Sequence, residues 1–111
     1  MEKERTEEVN FWLKNNKNVD PFAANKFERE EFEKFVKEME EAKITNILVT
    51  GILDDEDRIK EEGGPYADTL YITLPTTEME LKKAFMLIMG QSPDECSFID
   101  ETLTTLRLWW D

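Results

Sequence analysis

The spacing of the apolar residues changes period at Ile44, and this change limits the fold more than any other feature of the sequence. Before it, Val9, Trp12 and Leu13 fall at i, i+3, i+4, which predicts a short helix from Thr6 to about Asn16. Asn15-Asn16-Lys17-Asn18 then breaks it, since asparagine favours turns over helix interiors. Asp20-Pro21 reads as an N-cap followed by proline at the first helical position, opening a second helix that runs to about Lys43. Phe32, Phe35, Val36 and Met39 form its buried stripe, broadened by Phe22, Ala23, Ala24 and Phe27. On the polar face, Glu30–Lys34 and Glu33–Lys37 stand at i, i+4.

After the change, Ile44 to Leu53 (ITNILVTGIL) is β-branched and apolar and reads as a strand, with Gly51 a candidate bulge. Asp54 to Pro65 is a polar, acidic connection, and Thr69 to Leu74 is a second strand stopped by Pro75. Thr77-Glu78-Met79-Glu80 is a capping box, starting a helix that buries Leu81, Ala84, Phe85 and Ile88 and stops at Gly90, a candidate left-handed cap. Ser97–Glu101 and Leu103–Trp110 read as two further strands. The expected fold is α+β in the order ααββαββ: a small, mostly antiparallel sheet of about four strands with helices on one face. Phe35, Met39, Leu48, Leu70, Ile72, Phe85 and Ile88 are its expected core. A chain of 111 residues fits one domain, a helical part (1–43) followed by an acidic ββαββ part (44–111).

The sequence offers little for catalysis. Histidine is absent, which removes the commonest general base and metal ligand. Cys96 is the only cysteine, so it forms neither an internal disulfide nor a thiolate zinc site, and it reads as a small core residue. Gly63-Gly64 lacks the lysine and hydroxyl residue of a phosphate-binding loop. The run Asp54-Asp55-Glu56-Asp57 lacks the spacing of a calcium loop. No enzyme activity, metal or cofactor is expected. The reducing environment that a lone cysteine fits, the absence of a long apolar run and an N-terminus without a signal-like segment together favour the cytoplasm.

Charge is the most unusual bulk property. The net charge is −12, of which −9 lies in residues 44–111. Such a field repels nucleic acid and anionic membrane and attracts cationic partners. Asp54, Asp55, Glu56, Asp57, Glu61, Glu62 and Asp68 place seven carboxylates in fifteen positions, and Asp94, Glu95, Asp100 and Glu101 follow the third helix. Carboxylates at this density can imitate the phosphates of duplex DNA, which carry one charge per ~1.7 Å of axis. The other reading of the same acids is a solvated, solubilising surface. Tyr66 and Trp110 are the aromatic candidates for slowing a partner's release. Of the adjacent Trp109 and Trp110, one fits the core, and the other either packs under the N-terminal helices or anchors a partner or a homodimer.

Residues Tyr66–Glu101 resemble the N-terminal part of the ArdA antirestriction proteins. The similar pieces are Leu74-Pro75 closing a strand, the capped Thr77-Glu78 helix with Leu81 and Ala84-Phe85, Gly90, Asp94-Glu95 and Phe98-Ile99-Asp100-Glu101. The resemblance covers about a third of the chain, and the further acidic subdomains of that family have no counterpart here. It implies a phage- or mobile-element-encoded DNA mimic that inhibits a restriction or CRISPR enzyme. The alternative is an immunity protein or acidic adaptor that neutralises a basic toxin.

Overall fold

The computed structural model describes residues 6–53 and 56–111. Its elements are β1 (Glu7–Glu8), α1 (Val9–Asn15), α2 (Arg29–Glu41), β2 (Thr45–Thr50), α3 (Glu56–Glu62), β3 (Thr69–Thr73), α4 (Glu78–Gly90), β4 (Glu95–Phe98) and β5 (Thr105–Trp109). The class is α+β, as the change of period implies. The sheet has five strands in the order β1-β2-β3-β5-β4, each antiparallel to its neighbours. The last strand therefore lies between β3 and β4, which run in the same direction and are joined by α4.

Side chains alternate along the central strands. Leu70, Ile72, Leu106 and Leu108 are buried, whereas Tyr71, Thr73, Arg107 and Trp109 between them are half-exposed. The buried set joins Val9, Trp12 and Leu13 of α1, the Phe32, Phe35, Val36 and Met39 stripe of α2, and Ala84 and Ile88 of α4 in one core. Leu48 and Phe85 are half-buried rather than fully enclosed. Among the described side chains, none of α3 belongs to this core.

The second helix starts eight residues later than the Asp20-Pro21 signal suggests. Residues 21–23 instead pair with Ala67: the Ala23 amide donates to the Ala67 carbonyl at 2.8 Å, and the Ala67 amide to that of Pro21 at 3.0 Å. This non-helical path lets Phe22, Ala23 and Phe27 all reach the core, and Ala23 takes a left-handed φ of 41° to do so. Glu28 rather than Asp20 is the N-cap of this helix, and the Asp20 carboxylate reaches its start only through space, accepting from the Arg29 amide at 3.3 Å. Arg29 holds the turn before it, donating to the carbonyls of Asn16 (2.8 Å), Asn18 (2.7 Å) and Leu13, and pairing with Glu33 at 2.9 Å.

Smaller departures have equally local causes. The irregularity in β2 lies between Thr45 and Leu48, where Asn46 has a φ of 48°, and not at Gly51. Gly51 has a left-handed φ of 64°, and an added Cβ there would crowd the Asp68 carboxylate and the Thr69 hydroxyl, so glycine suits the position. Thr77 caps α4, accepting from the Glu80 amide at 3.4 Å, while its hydroxyl donates to the Glu80 carboxylate at 2.7 Å. Gly90 is the last residue of α4, and the left-handed position beyond it is Ser92, with a φ of 49°. The connection after β2 contains helix α3 rather than an irregular loop.

Candidate functional site

The sheet register decides which carboxylates meet. Thr50, Thr69, Trp109 and Glu95 form one row across β2, β3, β5 and β4, near one end of the sheet. Just beyond that row the Trp110 amide donates to the Asp68 carbonyl (3.2 Å), and the Asp111 amide to the Asp94 carboxylate (2.7 Å). Asp68, Asp94, Glu95 and Asp111 are thereby gathered at one sheet end. α3 is inserted between the paired residues Thr50 and Thr69, so it projects from the same end, with Glu56, Asp57 and Glu61 exposed on it. Glu95 is the partly neutralised member, paired with Arg107 at 3.0 Å.

Asp100 and Glu101 lie at the other end of β4, about 16 Å away at ~3.3 Å per residue. Asp100 has a structural task there. Its carboxylate accepts from the hydroxyls of Thr102 (2.6 Å) and Thr104 (2.5 Å) and from the amides of Thr104 and Thr105 (both 3.1 Å), closing the turn into β5. These bonds, the Thr102 hydroxyl foremost, hold its carboxyl well below the usual carboxylate range. A depressed folded-state value means that its contribution to stability is full above the unfolded value of about 3.9 and is lost as pH falls below it. Carbonyl-detected NMR titration should find Asp100 still ionised where exposed glutamates are half-protonated, and Asp100→Ala should abolish the corresponding acid-limb loss of stability.

The aromatic candidates divide. Trp110 is only 1% exposed and belongs to the core, which removes it as a contact for a partner. Its ring meets Phe22, Phe27 and Phe35 edge-on, and its indole N–H donates to the Gln91 carbonyl at 3.0 Å. Trp109 is the half-exposed one of the pair. Tyr66 is half-buried, its hydroxyl accepting from the Ala24 amide at 3.1 Å, and it lines an open groove with Val19, Leu53 and Glu61. Asp54 and Asp55 lie outside the described residues, and Glu62 is the last residue of α3.

No protein-family model, curated protein or solved structure matches this chain. The site must therefore be read from its own chemistry. Cys96 is not a core residue: it is exposed on β4, and partial burial of the thiol pushes its pKa up, which opposes nucleophilic use. Among the described residues no group of histidine, cysteine and acidic side chains is arranged to hold a metal ion. Nor does any described helix have the length and apolarity to cross a membrane.

Sequence reasoning missed two features. Asp111 joins the acidic end only through the central position of β5, which no local pattern encodes. The outer face of α4 exposes Met79 (71%), Met86 (70%) and Met89, and the turn after β4 exposes Ile99 and Leu103. The i, i+7, i+10 spacing of the methionines was the available signal for that stripe.

Proposed function

We propose that this protein acts by binding another protein, to which it presents the acidic sheet end and α3. The partner is a nucleic-acid-handling enzyme whose basic groove ordinarily receives phosphates, so the protein is an inhibitor that competes as a DNA mimic. The observation that carries this reading is the convergence of Asp68, Asp94, Glu95 and Asp111 with the exposed acids of α3 at one end of the sheet. Like charges held together repel one another and lower the stability of the fold that holds them. A surface that accepts this cost suits recognition of a cation-rich partner. The resemblance of Tyr66–Glu101 to ArdA proteins favours the same class, antirestriction or anti-CRISPR. The reading further takes α1, α2 and α4 to share one face of the sheet, leaving the row Leu48, Tyr71 and Arg107 on the other.

The direct test is titration into a DNA-cleavage assay with a type I restriction enzyme. Inhibition should be competitive with duplex DNA and should weaken steeply as salt rises. A second reading rests on the exposed methionines of α4: an immunity protein or adaptor that binds through apolar contact. It predicts a complex whose affinity is the same at low and high salt, and such a result would replace the mimic.

A further inference from the structure

We propose that β4 is a docking edge, and that the partner adds to it an extended segment in which apolar and basic residues alternate. The inference rests on the reading of a basic protein partner and names its mode of attachment.

The hydrogen-bonding phase of β4 fixes which of its groups are free. The Ile99 amide donates to the Thr105 carbonyl at 3.0 Å, and Ile99 and Thr105 continue the register that pairs Phe98 with Leu106. In an antiparallel ladder bonded pairs recur every second residue, so Glu95, Ser97 and Ile99 direct their backbone groups toward β5. The other side of β5 agrees: the Leu74 amide donates to the Thr104 carbonyl at 2.9 Å, which directs Leu106 and Leu108 toward β3. The N–H and C=O groups of Cys96 and Phe98 therefore point away from the sheet. β4 has no proline and no register shift to blunt this edge. The opposite edge, β1, is two residues long and offers no comparable template.

The side chains specify the pattern of the incoming strand. Cys96 and Phe98 stand opposite Leu108 and Leu106, on the sheet side whose other members are buried, yet Phe98 is 41% exposed. An added strand with apolar residues on that side would cover them. Its alternate residues would lie beside Glu95 and Ser97, with Asp94 at one end of the strand and Asp100 and Glu101 at the other. The donors bonded to the Asp94 and Asp100 carboxylates are backbone amides and hydroxyls, which bring no opposing charge to either. Basic residues at the alternate positions share the side of Glu95, and basic residues flanking the segment complement Asp94 at one end and Asp100 and Glu101 at the other. A second copy of the chain fits less well: antiparallel pairing centred on Ser97 sets Asp94 of each copy against Asp100 of the other, like charge against like.

The probe is an acetylated, amidated peptide of alternating lysine and valine, titrated into the 15N-labelled protein at low salt. Its control is the same peptide N-methylated at every second residue, which keeps the charge and removes backbone donors. The unmethylated peptide should shift the Cys96 and Phe98 amides and slow their hydrogen exchange by about tenfold, as expected for amides entering a ladder. The methylated peptide should do neither, and Cys96→Pro, which deletes an outward donor while leaving the β5 ladder intact, should lose the response. If both peptides act alike, with shifts centred on α3, the edge has no role and the acidic-surface reading stands alone. If neither peptide binds, both readings fail. Protection of Cys96 and Phe98 that grows with protein concentration alone would overturn the proposal in favour of self-pairing.

Discussion

Replacing Trp110 with alanine should cost about 3–5 kcal/mol, the range for removing a fully enclosed large aromatic side chain. The residue is almost completely buried, and its ring lies within 5.4 Å of Phe27, 5.7 Å of Phe22 and 6.2 Å of Phe35, measured between centroids. Truncation would open a cavity among three other rings and leave the Gln91 carbonyl without its indole donor. A domain of this size has roughly 5–15 kcal/mol of stability, so much of the cooperative transition would be lost. Urea melts followed by near-UV circular dichroism measure the change. Trp110→Phe, which keeps most of the ring area and loses the hydrogen bond, should cost clearly less. A loss below about 1 kcal/mol for the alanine variant would return Trp110 to the surface, as an anchor rather than a core residue.

The core was legible in most elements that carried one periodic pattern, although in α4 only Ala84 and Ile88 of the expected stripe are buried, Leu81 and Phe85 being half-buried. The Phe32, Phe35, Val36, Met39 stripe, the Thr77 cap and the alternating Leu70/Ile72 pair are all local signals that tertiary packing reinforces. Residues 20–28 show the opposite case. Asp20-Pro21 is a sound helix-start signal, but its backbone pairs with Ala67, more than forty residues away, and that pairing delivers Phe22 and Phe27 to the aromatic cluster. Local propensity, worth tenths of a kcal/mol per residue, yields to the burial of two rings. α3 was missed for a different reason. EDRIKEE has one large apolar residue, Ile59, and no stripe; the i, i+4 spacing of Glu56 and Lys60 was the available hint.

For the acidic surface, the sequence shows how many carboxylates there are but not which ones are neighbours. Chain order would set β4 beside β3, whereas β5 enters between them. That insertion brings Asp111 to Asp94 and Trp110 to Asp68, while the extended β4 itself separates Asp94 and Glu95 from the turn held by Asp100. Two acidic pairs that look equivalent in the sequence thus lie at opposite ends of β4, and one of them contains Asp100, which closes the turn into β5.

Reversing Glu56, Asp57 and Glu61 to lysine should weaken inhibition of the restriction enzyme by roughly ten- to a hundredfold at low salt. Each reversal removes one attractive surface contact and adds a repulsive one, at about 0.2–1 kcal/mol per exposed pair, and 1.4 kcal/mol is a factor of ten. Most of the loss should fall on the association rate, and the salt dependence should flatten. The comparison variant reverses Glu40, Glu41 and Glu78, which adjoin the opposite sheet end, where Thr45 pairs with Thr73. Both triples change the net charge from −12 to −6, so net charge cannot account for a difference between them. The comparison variant should lose no more than about threefold, within the ~0.5 kcal/mol typical of surface changes. Lysines in the first turn of α3 oppose the helix dipole at about 0.3–1 kcal/mol each, so α3 itself could fray while the core, which includes none of its described side chains, stays folded. Neutral Glu56→Gln, Asp57→Asn, Glu61→Gln separates the two effects: it leaves the helix largely undisturbed and should still reduce inhibition, by less than the reversal. If the two lysine triples inhibit equally, position is irrelevant, the carboxylates act only through net charge, and the mimic is refuted.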